Sequence, residues 1–190
     1  MNWRLVPLLA CALLTACATT PPDKRPARNE VRDFTLEARF ALRVSLPDRA
    51  PESSGGRLAW QHKNGDNRIL ISNPLGIGMA EIDTGPSLSR LRTADGQTRE
   101  SPDPDALMEE VSGQRLPIRQ LPDWVLGRSV DPNHLQKDNS GRPARLFEAG
   151  WQIEYTYADE TPDALPELVT LRRNGEIELR LRIEEWRVAP

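Results

Sequence analysis

The side chains capable of covalent or metal chemistry are few: cysteines at 11 and 17, and histidines at 62 and 134. Cys17 is the most informative of them. It closes the stretch Leu14-Thr15-Ala16-Cys17, a leucine, two small residues and a thiol, which matches the bacterial lipobox whose cysteine takes a lipid. Ahead of it Arg4 supplies a positive n-region and Leu5 to Leu14 an apolar run of ten residues. That run is too short to span a bilayer and suits a secretory leader. Cleavage before Cys17 removes residues 1–16 and Cys11 with them, so no disulfide, CxxC pair or thiolate metal site is available.

The remaining candidates read as structure. His62 alternates with Leu58 and Trp60, which suits a core or rim histidine, and His134 sits in a polar loop. Two histidines without cysteine make no zinc pattern of known spacing. Glu109-Glu110 and Glu184-Glu185 read as solvated charge, and Asp103 with Asp105 as a helix start. There is no GxSxG elbow, Walker loop or HExxH, and Gly76-Ile77-Gly78 is too short for a phosphate loop. The expectation is a protein that is not an enzyme, with no catalytic residue, no metal and no cofactor. The alternating arginines (Arg90, Arg92, Arg172, Arg173, Arg180, Arg182) suit the wet faces of strands, with anionic headgroups or an acidic partner as the other reading.

After the leader, the pattern implies an anchor, a tether and a body. No later stretch approaches about eighteen consecutive apolar residues, so attachment would come from acyl chains on Cys17. Residue 18 is Ala, where an aspartate favours inner-membrane retention under the enterobacterial sorting rule, so the expected location is the periplasmic face of the outer membrane. Residues 17–32 hold three prolines and no apolar periodicity, and read as lipidated cysteine plus flexible tether. Residues 33–190 are long enough for one domain with its own core. Losing Arg4 with the leader leaves 24 basic against 28 acidic residues, a formal charge of −4, which is no footprint for nucleic acid.

The body opens in period two. Phe34, Leu36, Ala38, Phe40, Leu42, Val44 and Leu46 take every even position, which predicts a long strand with one buried face. "GRLAWQHK" (56–63) and "NRILISN" (67–73) follow across Asn64-Gly65, a hairpin signal. "MAEIDT" and "LSRLRT" continue the meander to a turn at Asp95-Gly96. Strands resume with "WQIEYTY" (151–157), "ELVTLRR" and "EIELRLRIEEW" (176–186), the last two joined by Asn174-Gly175. The phase slips before Trp186, as a bulge or a strand end would cause. Between them, Asp103, Pro104 and Gly113 suit the cap, first turn and end of a helix whose stripe is Leu107, Met108 and Val111. A second short helix is expected from Pro122 to Gly127. The tract 131–145 carries no pattern that fixes its structure.

Roughly nine to eleven antiparallel strands with a single apolar face need a cover, and residues 101–127 are the only helical material. The predicted fold is mainly β: a curved, incompletely closed antiparallel barrel with a short helical lid over an apolar cavity. "SNPLGIGM" (72–79) is anomalous within it. Asn-Pro and Gly-x-Gly are turn chemistry, yet Leu75, Ile77 and Met79 are large and apolar. Either the turn folds under the body, or it meets something other than water. Ile77 and Met79 could also begin the next strand facing inward.

The lipobox followed in order by "GRLAWQ", "ILISNPLG", "DWVLG", "GWQIEY" and "LRIEEW" resembles the LolB family of outer-membrane lipoprotein insertion factors, across essentially the whole body. The resemblance implies an open barrel with a helical lid. It implies a monomer that accepts triacylated lipoproteins from the periplasmic carrier LolA and places them among outer-membrane phospholipids. It also implies that the turn Pro74-Leu75-Gly76 protrudes and that Leu75 serves membrane insertion. The side chains expected to line the acyl cavity are Phe40, Trp60, Ile69 and Ile71 from the first strands, and Met108 and Trp124 from the lid. Trp151, Ile153, Tyr155, Leu181 and Ile183 would complete it. A lipid-anchored, lipocalin-like module for a small apolar ligand fits the same anchor, strands and aromatics without needing an exposed Leu75. A scaffold lipoprotein would instead have a filled core and bind no acyl chain.

Overall fold

The computed structural model describes residues 26–189; the leader and Cys17 lie outside them. Eleven strands run in chain order: β1 (Asp33–Val44), β2 (Glu52–Lys63), β3 (Asp66–Ser72), β4 (Gly78–Thr84), β5 (Ser89–Thr93), β6 (Thr98–Ser101), β7 (Leu135–Lys137), β8 (Pro143–Glu148), β9 (Trp151–Thr156), β10 (Leu168–Arg173) and β11 (Ile177–Ala189). Helices α1 (Pro104–Ser112) and α2 (Leu121–Val125) fall between β6 and β7. The strands form one sheet in the order β6-β5-β4-β3-β2-β1-β11-β10-β9-β8-β7. Every pairing is antiparallel.

That order makes the two halves of the chain flank β1. β6 and β7 are the edges, and among the described residues they do not pair with each other, so the barrel stays open. Residues 102–134 lead from one edge strand to the other and must cross a face of the sheet. It is the apolar face. In an antiparallel ladder directly opposed residues share a side, so the even residues of β1 line up with Trp60 and Leu58 of β2, Ile69 and Ile71 of β3, and Leu181 and Leu179 of β11. Leu107, Met108, Trp124, Val125 and Leu126 from the crossing segment join the same apolar cluster. The predicted open antiparallel barrel with a short helical lid is the observed architecture.

Local chemistry explains the details. Asp103 caps α1, its carboxylate accepting from the Asp105 N–H at 3.1 Å, with Pro104 in the first turn. The expected slip in β11 is a bulge: Ala38 pairs with Ile183 and Glu37 with Glu185, leaving Glu184 as the extra residue. Glu184 forms ion pairs with Arg39 at 2.7 Å and Arg57 at 3.0 Å, while Trp186 returns to the core side opposite Leu36.

The body begins earlier than residue 33. Val31 is fully buried, and the backbone around it is tied to the lid. The Arg28 guanidinium donates to the Leu126 carbonyl at 3.0 Å, and Arg128 donates to the carbonyls of Arg28 (2.8 Å) and Val31. The tether expectation therefore gives way at its last residues, because a buried valine and three lid hydrogen bonds hold them against α2.

Gly127 is the hinge between α2 and this strap. It sits at φ +67°, and a Cβ there would come within 2.5 Å of Pro143 Cγ and 2.8 Å of Pro143 Cβ. The proline ring cannot yield as a flexible side chain would. We expect Gly127→Ala to destabilise the protein by about 2–3 kcal/mol, the sum of the left-handed backbone and the clash, read as a lower urea midpoint at unchanged slope.

Candidate functional site

The turn after β3 is built to hold its apolar tip in water. β3 ends on a register shift between Ile71 and Ser72, where the Ser72 carbonyl passes over Gly56. A Cβ on Gly56 would lie 2.1 Å from that oxygen, so only glycine lets the strand lift there. Asn73 then organises the turn. Its side-chain oxygen accepts from the N–H of Leu75 (2.9 Å) and of Ile77 (3.0 Å). Its backbone bonds Gly76 and Ile77, each at 2.9 Å. These bonds are an Asx-type closure, and they fix Pro74, Leu75 and Gly76 outward.

Leu75 is 86% exposed, Ile77 64% and Met79 50%. The turn is not folded under the body, and neither Ile77 nor Met79 is an inward strand position; Ala80 is the residue that faces Ile71. No charged side chain interrupts residues 69–80. Behind the tip, on the outer side, a groove of about 500 Å³ is lined by Ala59, Leu70 and Met79 beside Glu37, Glu81 and Arg92.

The side chains expected to line an acyl cavity lie together on the concave side. Trp60, Ile69, Met108, Trp124, Trp151, Ile153, Tyr155, Leu181 and Ile183 are all buried, while Phe40 and Ile71 are half-buried toward the Leu75 end. Trp60, Trp124 and Ile153 expose 1% or less. A side chain that a water-sized probe cannot touch lines no open space, so in this conformation the expected acyl cavity is closed by these side chains and the lid. Room for a ligand requires the lid to lift or the side chains to repack. The polar ties that hold the lid are peripheral: Arg28 and Arg128 at α2, Arg99–Glu110 at 3.3 Å on α1, and Arg173 donating to the Arg115 carbonyl at 3.2 Å.

Two polar features sit inside this apolar region. Trp60 donates to Asn67 Oδ1 at 3.0 Å, His62 Nδ1 lies 2.8 Å from the same oxygen, and Asn67 donates to Thr84 at 2.9 Å. That network satisfies the buried indole and amide, and His62 stacks on Phe34, a rim histidine as expected. Tyr155 is different. Its hydroxyl is buried with no hydrogen-bond partner among the described residues, and burial pushes its pKa up. We expect Tyr155→Phe to stabilise the fold by about 1 kcal/mol, because it removes a buried hydroxyl that repays none of its desolvation, seen as a raised thermal midpoint.

The outer face is charge-neutralised. Arg92 meets Glu81 at 3.3 Å, Arg90 meets Glu100 at 2.8 Å, and Arg172 bridges Glu154 (2.5 Å) and Glu178 (2.8 Å). The Arg172 guanidinium, with smaller help from Gln152 and Arg145, holds the Glu154 carboxyl below its ordinary range. The alternating arginines are thus wet-face residues, and most already have carboxylates. Among the described residues no cluster of His, Cys, Asp and Glu could hold a metal, and no helix is long and apolar enough to cross a membrane. Sequence reasoning missed the Arg28–Arg128 strap and the exposed Val130, since a lone valine and scattered arginines in polar segments create no periodic signal.

Residues 32–186 match the family described as Outer membrane lipoprotein LolB. Among curated relatives, the outer-membrane lipoprotein LolB of Dechloromonas aromatica (strain RCB) is 56% identical over 100% of both chains. That of Azoarcus sp. (strain BH72) is 32% identical over 96% of this chain and 95% of its own. The LolB of Halorhodospira halophila (strain DSM 244 / SL1) is 32% identical over 96% and 93%. A solved structure of a LolA superfamily protein from Nitrosomonas europaea aligns at a TM-score of 0.47 and 9% identity, over 82% of this chain and 86% of that one. The chain belongs to the LolB family of outer-membrane lipoproteins.

Proposed function

We propose that this outer-membrane lipoprotein accepts acylated lipoproteins from the periplasmic carrier LolA and inserts them into the outer membrane, without nucleotide hydrolysis. The observation that carries the reading is the pairing of an apolar concave face under a short helical lid with a pinned, 86% exposed leucine at its rim. A chain of about sixteen carbons costs on the order of 12 kcal/mol to hold in water, at about 0.8 kcal/mol per methylene. Triacylated cargo therefore needs cover throughout its passage. Lifting the lid exposes Met108, Trp124 and the sheet side chains opposite them, and Met and aromatic surfaces adapt to chains of varying shape.

Transfer runs downhill on this reading. The concave face must hold acyl chains better than the carrier does and worse than the bilayer. The domain, anchored through Cys17, works as a monomer with outer-membrane phospholipid as the acceptor, and needs no catalytic residue, cofactor or nucleic acid. The test is transfer in vitro. LolA loaded with a triacylated lipoprotein is mixed with this protein and liposomes, and cargo is followed by flotation. Cargo that passes through the protein to the liposomes supports the reading; cargo that never leaves the carrier overturns it.

A further inference from the structure

The antiparallel order sorts the connections by end. The β1–β2, β3–β4, β5–β6, β8–β9 and β10–β11 turns all lie at one end of the sheet, as the pairings of Val44 with Ile177 and Glu52, of Arg57 with Ser72, and of Glu148 with Trp151 require. Leu75 protrudes there from the β3–β4 turn. The segment entering edge strand β7 reaches the same end, because the Ser129 hydroxyl lies 2.7 Å from the Glu148 carboxylate at the β8–β9 turn.

Val130 follows Ser129 and is 91% exposed. Its exposure is held in place. The Ser129 oxygen accepts from the Asp131 N–H at 3.1 Å and lies 2.8 Å from the Asp131 carbonyl, and Asp131 in turn accepts from the Asn133 N–H at 2.9 Å. As at the Leu75 turn, a short polar side chain just before the apolar residue closes the backbone: Ser129 bonds the N–H that follows Val130, and Asn73 bonds those of Leu75 and Ile77. The two tips stand on opposite flanks of the open sheet, one beside β3 and β4 and one beside β7 and β8.

We propose that Val130 is a second contact with the lipid bilayer, which with Leu75 sets the open end of the barrel against the membrane. The inference rests on the delivery reading above. A single apolar finger on a tethered domain lets the domain pivot. Two fingers astride the concave face fix its tilt, so that acyl chains leave toward lipid and not toward water. The chemistry favours lipid over a protein partner. A stable protein interface buries about 800 Å² on each side as a contiguous patch, whereas Val130 is flanked along the chain by the polar Ser129 and Asp131. A bilayer interface accepts an isolated apolar side chain among polar neighbours.

The test uses the lipidated protein reconstituted in vesicles of phosphatidylethanolamine and phosphatidylglycerol that contain a doxyl-labelled phosphatidylcholine. Cys11 leaves with the leader and Cys17 carries the lipid, so Leu75→Cys, Val130→Cys and Ser87→Cys each offer one free thiol for an environment-sensitive fluorophore. Ser87 lies in the β4–β5 turn at the far end. Quenching at 75 and 130 but not at 87 is the expected result. Quenching at 75 alone overturns the second contact and leaves delivery intact, and quenching at neither position removes the membrane role of both tips. Equal quenching at 87 means no fixed orientation and overturns the proposal. In the transfer assay, Val130→Glu should slow release to liposomes about tenfold with uptake from LolA unchanged, and Val130→Leu should restore it. Undiminished release by Val130→Glu, or loss of uptake, overturns the assignment.

Discussion

On the delivery reading proposed above, Leu75→Glu is expected to take triacylated cargo from LolA at the wild-type rate and then to keep it. Burying a leucine side chain in an apolar medium is worth about 1.5–3 kcal/mol, so its loss alone slows membrane-assisted release about tenfold or more. A carboxylate in its place adds a charge that resists the hydrocarbon boundary. Uptake survives because Leu75 makes no contact with the concave cluster: it is 86% exposed, and the turn is closed by Asn73 and its own backbone. The fold survives for the same reason, and the thermal midpoint should stay within about 1–2 °C of wild type. The measurement is the pair of rates, carrier to protein and protein to liposome, for both chains. Equal release rates would strip the turn of its role and favour a lipid-anchored module that holds a small apolar ligand.

Leu75→Ala separates the two parts of that effect. It deletes the apolar tip without adding charge and should fall between wild type and Leu75→Glu. A turn held by its own hydrogen bonds spends no ordering entropy on insertion, so conservative apolar replacements such as Leu75→Met should deliver as wild type does.

The elements that sequence alone made legible share a physical origin: each repeats a local rule several times. The even run from Phe34 to Val44 alternates across one ladder, and Asn64-Gly65 and Asn174-Gly175 provide the positive-φ pairs that tight hairpins need. The bulge at Glu184 was visible as a slip of phase because an extra residue reverses the alternation. β7 and β8 were illegible for the opposite reason. β7 has three residues, and β8 buries only Pro143 and Leu146 in a pattern with no regular period. The β8–β9 turn that follows places Ala149 at φ 50° ahead of Gly150, and alanine gives no turn signal. The Leu75 tip was legible because large apolar residues contradict turn chemistry. The filled state of the concave side was not. Alternation says which side chains share a face, but not whether the space between that face and the lid is occupied, since that depends on helix placement set by the Arg28–Arg128 strap and Val31.

That packing makes the lid the place where one substitution should act most strongly on the closed state. α2 spans five residues, far below the about twelve that an isolated helix needs to persist in water, so packing and not propensity keeps it helical. Trp124 is the largest side chain of α2, is 1% exposed and belongs to the apolar cluster with Leu121 and Val125. Trp124→Ala should cost about 3–5 kcal/mol, since the lost transfer energy is joined by a cavity that a Gly127-limited backbone cannot collapse. For a domain of this size the thermal midpoint should fall by roughly 10 °C. The loss should also be uneven. The N–H groups of α1 and α2 should exchange with solvent about a hundredfold faster or more, because about 3 kcal/mol of local stabilisation is worth two decades. Those of β1 and β11, bonded on both sides at the sheet centre, should follow only the global change. Uniform acceleration across sheet and lid would mean that the lid opens only when the whole domain unfolds. A lid of that kind could not admit cargo, and the acyl chains would have to enter through the half-buried end at Phe40 and Ile71 instead.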